Sequence, residues 1–203
     1  MKLFSYVVEH DTGHAPNPFF GHCTLCRCKY RKSPDKPRNV VELAKKGDWV
    51  AGTGGADQRR SAGHGKLVYA MHVDKILTRK RYWHNPRFKK KRRVKGGTYE
   101  QTQGDNIRPR GSFEKHKQFV LISRHFYYFG EHGIDIPKKK FPDLEKKGAG
   151  FRRDFAREYI KRFVTWLEER GESGKLGEPG MREDRESSWE GSGVCKSSCS
   201  ESA

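Results

Sequence analysis

Hydrophobic positions follow two patterns along the chain. Up to residue 130 they gather in short unbroken runs: Leu3-Phe4-Ser5-Tyr6-Val7-Val8, Trp49-Val50-Ala51, Leu67-Val68-Tyr69-Ala70-Met71-His72-Val73 and Phe119-Val120-Leu121-Ile122-Ser123. Runs of this length, rich in β-branched and aromatic residues and bounded by Gly, Pro and polar positions, predict buried strands. From Phe151 to Arg170 the period changes, with Phe151, Phe155, Tyr159, Phe163 and Trp166-Leu167 recurring every three or four residues between Arg and Glu. That spacing predicts one amphipathic helix packed across a sheet. A shorter helix is expected from Val40 to Lys46, capped by Asn39 and ended by Gly47. Gly47-Asp48 then opens a strand, and Gly52-Thr53-Gly54-Gly55 reads as a backbone-rich loop before the return strand at Lys66.

These elements predict an α+β domain over residues 1–170, built on a mixed sheet and closed by a long C-terminal helix. Beyond Gly171, Gly, Ser and Glu dominate and apolar residues are few, so residues 171–203 are expected to form a disordered tail. No apolar run reaches the length of a membrane span and no signal pattern opens the chain, which predicts a cytoplasmic protein without a membrane partner.

Charge narrows the class of partner. The 203 residues carry a formal net charge of +18, and residues 171–203 hold only four Lys/Arg against seven Asp/Glu, so the predicted domain is more basic than the whole. Such a field favours a polyanion, because each phosphate neutralised by Lys or Arg releases counterions. Nucleic acid or a nucleotide is therefore the expected partner, with DNA preferred. From Arg79 to Lys95 there are ten Lys/Arg and no acid, interleaved with Tyr82, Trp83 and Phe88. Charge joined to stacking-capable rings makes Arg79, Arg81, Trp83, Arg87, Lys89, Lys90, Lys91, Arg92 and Arg93 the candidate nucleic-acid contacts.

Candidate chemistry begins at the loop after the first strand. Glu9 to Gly21 contains two prolines and two glycines, which exclude regular structure and leave His10, Asp11 and Asn17 either in a site or in local turns. Cys23, Cys26 and Cys28 follow in His22-Cys23-Thr24-Leu25-Cys26-Arg27-Cys28-Lys29. Three chemistries fit: zinc thiolates, a thiolate activated by Arg27 and Lys29, or thiols that only pack. The zinc set needs a fourth ligand, which His10, His14 or His22 could supply, and no second Cys-x-x-Cys lies elsewhere in the domain; no metal is assigned. The glycine-rich segment lacks the Gly-Lys-Ser/Thr ending of a Walker loop, leaving its amides as a possible cradle or its glycines as turn formers. Gly104-Asp105-Asn106-Ile107 adds a turn with two polar groups, and Phe126-Tyr127-Tyr128-Phe129 is an aromatic patch suited to a core or to a base pocket. No motif identifies a cofactor.

Taken together, His10-Asp11-Thr12-Gly13 with Ala15-Pro16-Asn17-Pro18-Phe19, Cys23-Thr24-Leu25, Cys28-Lys29, Gly47-Asp48-Trp49-Val50-Ala51-Gly52-Thr53-Gly54, Tyr69-Ala70-Met71 and Gly104-Asp105-Asn106-Ile107 resemble the second nucleotide-modification-associated domain family. The motifs match in order over roughly residues 1–142. The resemblance implies a bacterial or phage protein concerned with nucleotide modification, with recurring cysteines at Cys23 and Cys28; Cys26 departs from that pattern. The basic segment and the tail look peculiar to this chain. The sheet is similar to the barrels of PUA-like and EVE-like domains, which read modified nucleotides.

Two functions follow as expectations. In the first, the protein modifies a nucleotide or DNA base, with His10, Asp11, Cys23, Cys28 and Asp48 as catalytic candidates and Asn17, Thr53, Gly54, Asp105 and Asn106 as substrate contacts. In the second it is a non-catalytic reader whose aromatic pocket holds a modified base. Clustering of His10, Asp11, Cys23 and Asp48 around one pocket would favour the enzyme; a base-sized slot framed by Trp83 and Tyr127 or Tyr128 would favour the reader.

Overall fold

Leu3–Val8, without an outward-facing polar position, forms strand β1 and is buried along its whole length. The computed structural model describes residues 1–26, 39–92, 119–146, 148 and 150–180. In chain order they give β1, β2 (Cys23–Leu25), α1 (Val40–Leu43), β3 (Trp49–Gly54), β4 (Lys66–His72), β5 (Lys75–Thr78), α2 (Arg79–His84), a 3₁₀ helix (Pro86–Lys91), β6 (Phe119–Ser123), β7 (Phe126–Tyr128), β8 (Ile134–Asp135), β9 (Phe151–Arg152), α3 (Arg157–Glu168) and β10 (Gly174–Lys175).

The large sheet runs β10-β7-β4-β3-β1-β9, with β8 also on β4; the small sheet runs β2-β6-β5. The chain is thus mixed α+β with a mostly sheet core. The pairing path of the described residues is open at β9 and β10 and does not close into the expected barrel. β1 and β3 are parallel, Leu3 beside Trp49 and Val8 beside Gly54, while β3 and β4 are antiparallel.

Alternation sorts the sheet's side chains into two cores. Phe4, Tyr6, Val8, Val50, Met71, Phe126 and Tyr128 pack towards the small sheet, Cys23, Leu25, Leu121 and α1. Leu3, Trp49, Ala51, Leu67 and Tyr127 face α3 through Ile160, Phe163, Trp166 and Leu167. The far side of the small sheet is covered by Tyr82 and Phe88 of α2 and the 3₁₀ helix. The order of layers is α3, large sheet, small sheet, then the basic helical segment. All four residues of the Phe126–Phe129 patch are buried, divided between the two cores.

One register row explains a glycine. Tyr6, Gly52, Tyr69 and Tyr128 stand side by side on β1, β3, β4 and β7. The Tyr6 and Tyr69 hydroxyls meet at 2.7 Å across Gly52, where a Cβ would lie 2.3 Å from the Tyr69 ring. Gly52 to Gly54 therefore belong to a strand rather than to the expected loop.

Other boundaries also shift. Helix α1 ends at Leu43 instead of Lys46, although Asn39 Oδ1 accepts from the Glu42 amide as expected and Gly47 takes the left-handed φ of 89°. Phe151 and Arg152 pair with Tyr6 and Ser5 as β9, so the helix begins at Arg157 rather than Phe151; edge pairing to β1 outweighs the helical spacing there. Residues 171–180, assigned to the tail by composition, hold β10 on β7 and run back along Phe129 to Glu131, with the Glu131 amide donating to Glu178 O (2.8 Å). Backbone pairing needs no apolar side chains, and their scarcity after Gly171 therefore does not prevent it.

Candidate functional site

The carboxyl ends of β1 and β3 lie side by side because the strands are parallel. Two loops leave from there, Glu9 to Gly21 and Gly55 to Gly65, and the second folds back over the first. The Asp11 amide donates to Arg60 O (2.7 Å); Ser61 Oγ donates to Val8 O (2.6 Å) and accepts from the Gly55 amide (3.1 Å). Crevices beyond the carboxyl ends of parallel strands recur as ligand sites, since side chains from several loops converge there.

A cleft of about 440 Å³ opens at this point, lined by Val7, Glu9, His10, Ala56, Asp57, Arg60, His64 and Gly148. Arg60 Nη1 lies 3.2 Å from His10 Nε2, and because a guanidinium can only donate, Nε2 is the accepting side of this contact. Asp57 contacts Arg60 Nε (3.4 Å) and Arg59 Nε (3.1 Å). The hydrogen bond from Arg59 holds the Asp57 carboxyl below its ordinary range. His64 Nδ1 lies 3.0 Å from Glu145 Oε1, an oxygen that also accepts from the Gly65 amide (2.9 Å). Glu145 thereby orients the imidazole and leaves its Nε2 for the cleft, the base-and-orienter relation that proton transfer requires.

Asp11 lies behind the cleft, buried at 1% exposure. Tyr128 Oη donates to its Oδ1 (2.6 Å), while Oδ2 is buried without a hydrogen-bond partner among the described residues. Burial pushes the carboxyl up to about 6, against the lowering effect of Tyr128 and of the Gly180 and Gly13 backbone.

The expected residues do not gather around this cleft. His10 lines it and Asp11 adjoins it, but Asp48 sits at the other end of β3, six residues of extended chain away, on the order of 20 Å. Its carboxylate accepts from the Lys2 amide (2.7 Å) and the Lys45 amide (2.9 Å), closing the turn into β3. Cys23 is fully buried between the sheets, and Cys26 lies in the core beneath Tyr82 and Phe88. Among the described residues no three His, Cys, Asp or Glu side chains are grouped to hold a metal ion. Thr53 is buried and donates to Tyr6 O (3.3 Å); a Cβ on Gly54 would meet Gly63 O at 1.9 Å, so neither faces a ligand. Asn17 is buried under Lys91. Cys28, Arg93, Asp105 and Asn106 lie outside the described residues.

The basic segment also divides. Arg81, Arg87, Lys89 and Lys90 are exposed. Lys91 is buried, its Nζ donating to Asn17 Oδ1 (2.5 Å) and to the carbonyls of Phe19 and His22 (both 2.9 Å), so it fastens the loop instead of meeting phosphate. The Arg92 guanidinium covers the half-buried Trp83 ring at 5.2 Å, and Arg79 is half-buried. Trp83, Tyr128 and Tyr127 belong to three separate cores and frame no common slot. Asp57, Arg60, His64 and Glu145 carried no motif in the sequence; the one signal for the first three was a polar loop, residues 56–64, between two strands, and Glu145 had none.

The family described as nucleotide modification associated domain 2 matches residues 1–118 and 111–186 of the chain. The chain belongs to that family. The match extends past residue 170, as does the pairing of β10 in this family member. No curated protein and no solved structure matches the chain. No described helix is long and apolar enough to cross a membrane.

Proposed function

We propose that this family member modifies a nucleotide in DNA, with the His10–His64 cleft as its active site. The observation that carries the reading is the His64 imidazole, oriented through Nδ1 by Glu145, sharing a nucleotide-sized cleft with the Arg60 cation. Arg60 binds a phosphate oxygen of the substrate, since a guanidinium offers paired donors matched to that group. As Arg60 turns to the phosphate it releases His10 Nε2. His64 Nε2 then exchanges a proton with the reacting group, and Glu145 stabilises the imidazolium that forms. Asp57 holds the Arg60 guanidinium at the cleft mouth. The family's association with nucleotide modification supports the choice of substrate class. The reader alternative draws support from the analogy to PUA-like and EVE-like barrels, and that analogy weakens with an open strand path.

The test is mass spectrometry of nucleosides from DNA of cells carrying the protein and its genomic neighbours. The modified nucleoside should fall about a hundredfold or more with His64→Gln, the scale of a missing proton-transfer group. Cys23→Ala, a change in the core, should lower stability while leaving the yield per folded molecule intact. Undiminished yield in both His64→Gln and Arg60→Gln, at equal protein levels, would overturn the reading.

A further inference from the structure

Lys138, Lys139 and Lys140 follow β8 and stand beside α3. Together the turn and the helix enclose a groove of about 510 Å³, distinct from the cleft. Lys139 and Lys140 line one wall and Lys161 and Arg162 the other; Glu169 is the one acid. Lys161 donates to Glu158 (2.9 Å), but Lys139, Lys140 and Arg162 make no side-chain hydrogen bond or ion pair with a described residue. Four cations facing one another across a recess outnumber Glu169 of the lining and Glu158 beside Lys161, and an anion laid between them lowers their mutual repulsion.

The floor determines which part of a nucleic acid fits. Phe141 and Trp166 are 1% and 5% exposed, packed on each other with ring centroids 5.4 Å apart. No ring face is left for a base to stack on. The groove can therefore engage phosphates and not bases, which makes its contacts indifferent to sequence.

Groove and cleft are joined by one stretch of chain. The segment that supplies Lys139 and Lys140 goes on to Glu145, which holds His64, and to Gly148, which lines the cleft. The Lys138 ammonium lies 3.8 Å from where a Gly65 Cβ would stand, directly beside His64. Positive charge thus continues from α3 to the mouth of the cleft. A nucleotide can enter a cleft of this size only when it is out of a duplex stack.

We propose that the groove between the Lys138–Phe141 turn and α3 binds the phosphodiester backbone of the single strand whose nucleotide occupies the His10–His64 cleft. The groove's ligand rests on the proposed function only for the identity of the anion. Its test is fluorescence anisotropy of a labelled oligothymidylate titrated with the full chain over a range of salt concentrations. In the triple variant K139Q/K140Q/R162Q, affinity at low salt should fall at least tenfold. The slope of log affinity against log salt should shrink by about 2, since each phosphate that a single strand no longer has neutralised removes about 0.7. These side chains are exposed, so the thermal midpoint should stay with the wild type. Unchanged affinity and slope would overturn the proposal. So would binding abolished only by R81Q/K89Q/K90Q, on the opposite outer layer. A triple variant that binds normally while His64→Gln still abolishes nucleoside yield would remove the groove and leave the active-site reading standing.

Discussion

Two buried aspartates sit at opposite ends of the same pair of strands, and they differ in how completely their charge is met. Asp48, at the amino end of β3, accepts one backbone amide on each oxygen, from Lys2 and from Lys45. Asp11, past the carboxyl end of β1, has Tyr128 on one oxygen and, among the described residues, no close hydrogen-bond partner on the other, with the Gly13 and Gly180 backbone lending only partial support to the carboxyl. A carboxylate satisfied on both sides fixes a turn; one that is half satisfied in the interior is driven towards its neutral form. The sheet is closed by ordinary backbone chemistry at one end. At the other, where the chain keeps an imperfectly solvated acid, the cleft opens. Incomplete satisfaction, and not residue type, distinguishes the end of the sheet that carries the candidate cleft.

The largest effect is expected at Asp48. Asp48→Ala strands two amides that were bonded to a charged acceptor and should cost about 2–4 kcal/mol, measured by chemical denaturation. If the amino end is structural only, the surviving folded fraction should keep wild-type nucleoside yield. A selective loss of yield at wild-type stability would return Asp48 to the active site.

At Asp11 the signature is a pH dependence. Its folded pKa is raised to about 6 from 3.8, so folding takes up a proton between those values. Stability from the neutral carboxyl is complete below about pH 4 and is lost as pH rises through 6. On this group alone the wild type should lose about 2–3 kcal/mol between pH 4 and pH 7. Asp11→Asn carries no such proton, so its stability relative to wild type should rise by that amount over the same range. A constant difference between the two proteins at pH 4, 5.5 and 7 would place Asp11 among ordinary solvated carboxylates.

The sequence made the strands legible and left their orientation open. Leu3–Val8, Leu67–Met71 and Phe119–Ser123 fall where apolar runs put them, because burial on both faces leaves no polar interruption. Whether Trp49 lies beside Leu3 or beside Val8 is decided by parallel or antiparallel pairing, which a single strand's residues do not encode. That choice carried Asp48 away from His10. Of the candidate cleft, His10 was legible on a proline-broken loop, whereas His64 and Glu145, which lie 81 residues apart, were not. Lys91 and its exposed neighbours Lys89 and Lys90 look alike as charges; only the carbonyls of Phe19 and His22 distinguish a buried ammonium from solvated ones.

Asp57 offers the finest test of the contrast between the two ends, because it is an aspartate on the surface of the end that carries the candidate cleft. Its carboxyl is held below the ordinary range by Arg59 and Arg60, so its stabilising contribution is present above about pH 4 and fades on acidification. Solvent screens such exposed pairs, and Asp57→Asn should leave the denaturation midpoint where it is. The effect should appear in the cleft. Without the ion pair at 3.4 Å, Arg60 loses one of the contacts that aim it, and a phosphate clamp held less firmly loses part of its orienting value. Nucleoside yield should drop several-fold with stability unchanged, the reverse of the pattern at Asp48. Should the midpoint shift while yield is retained, the carboxyl end would be held by the same structural chemistry as the amino end, and the asymmetry between Asp48 and Asp11 would no longer mark the site.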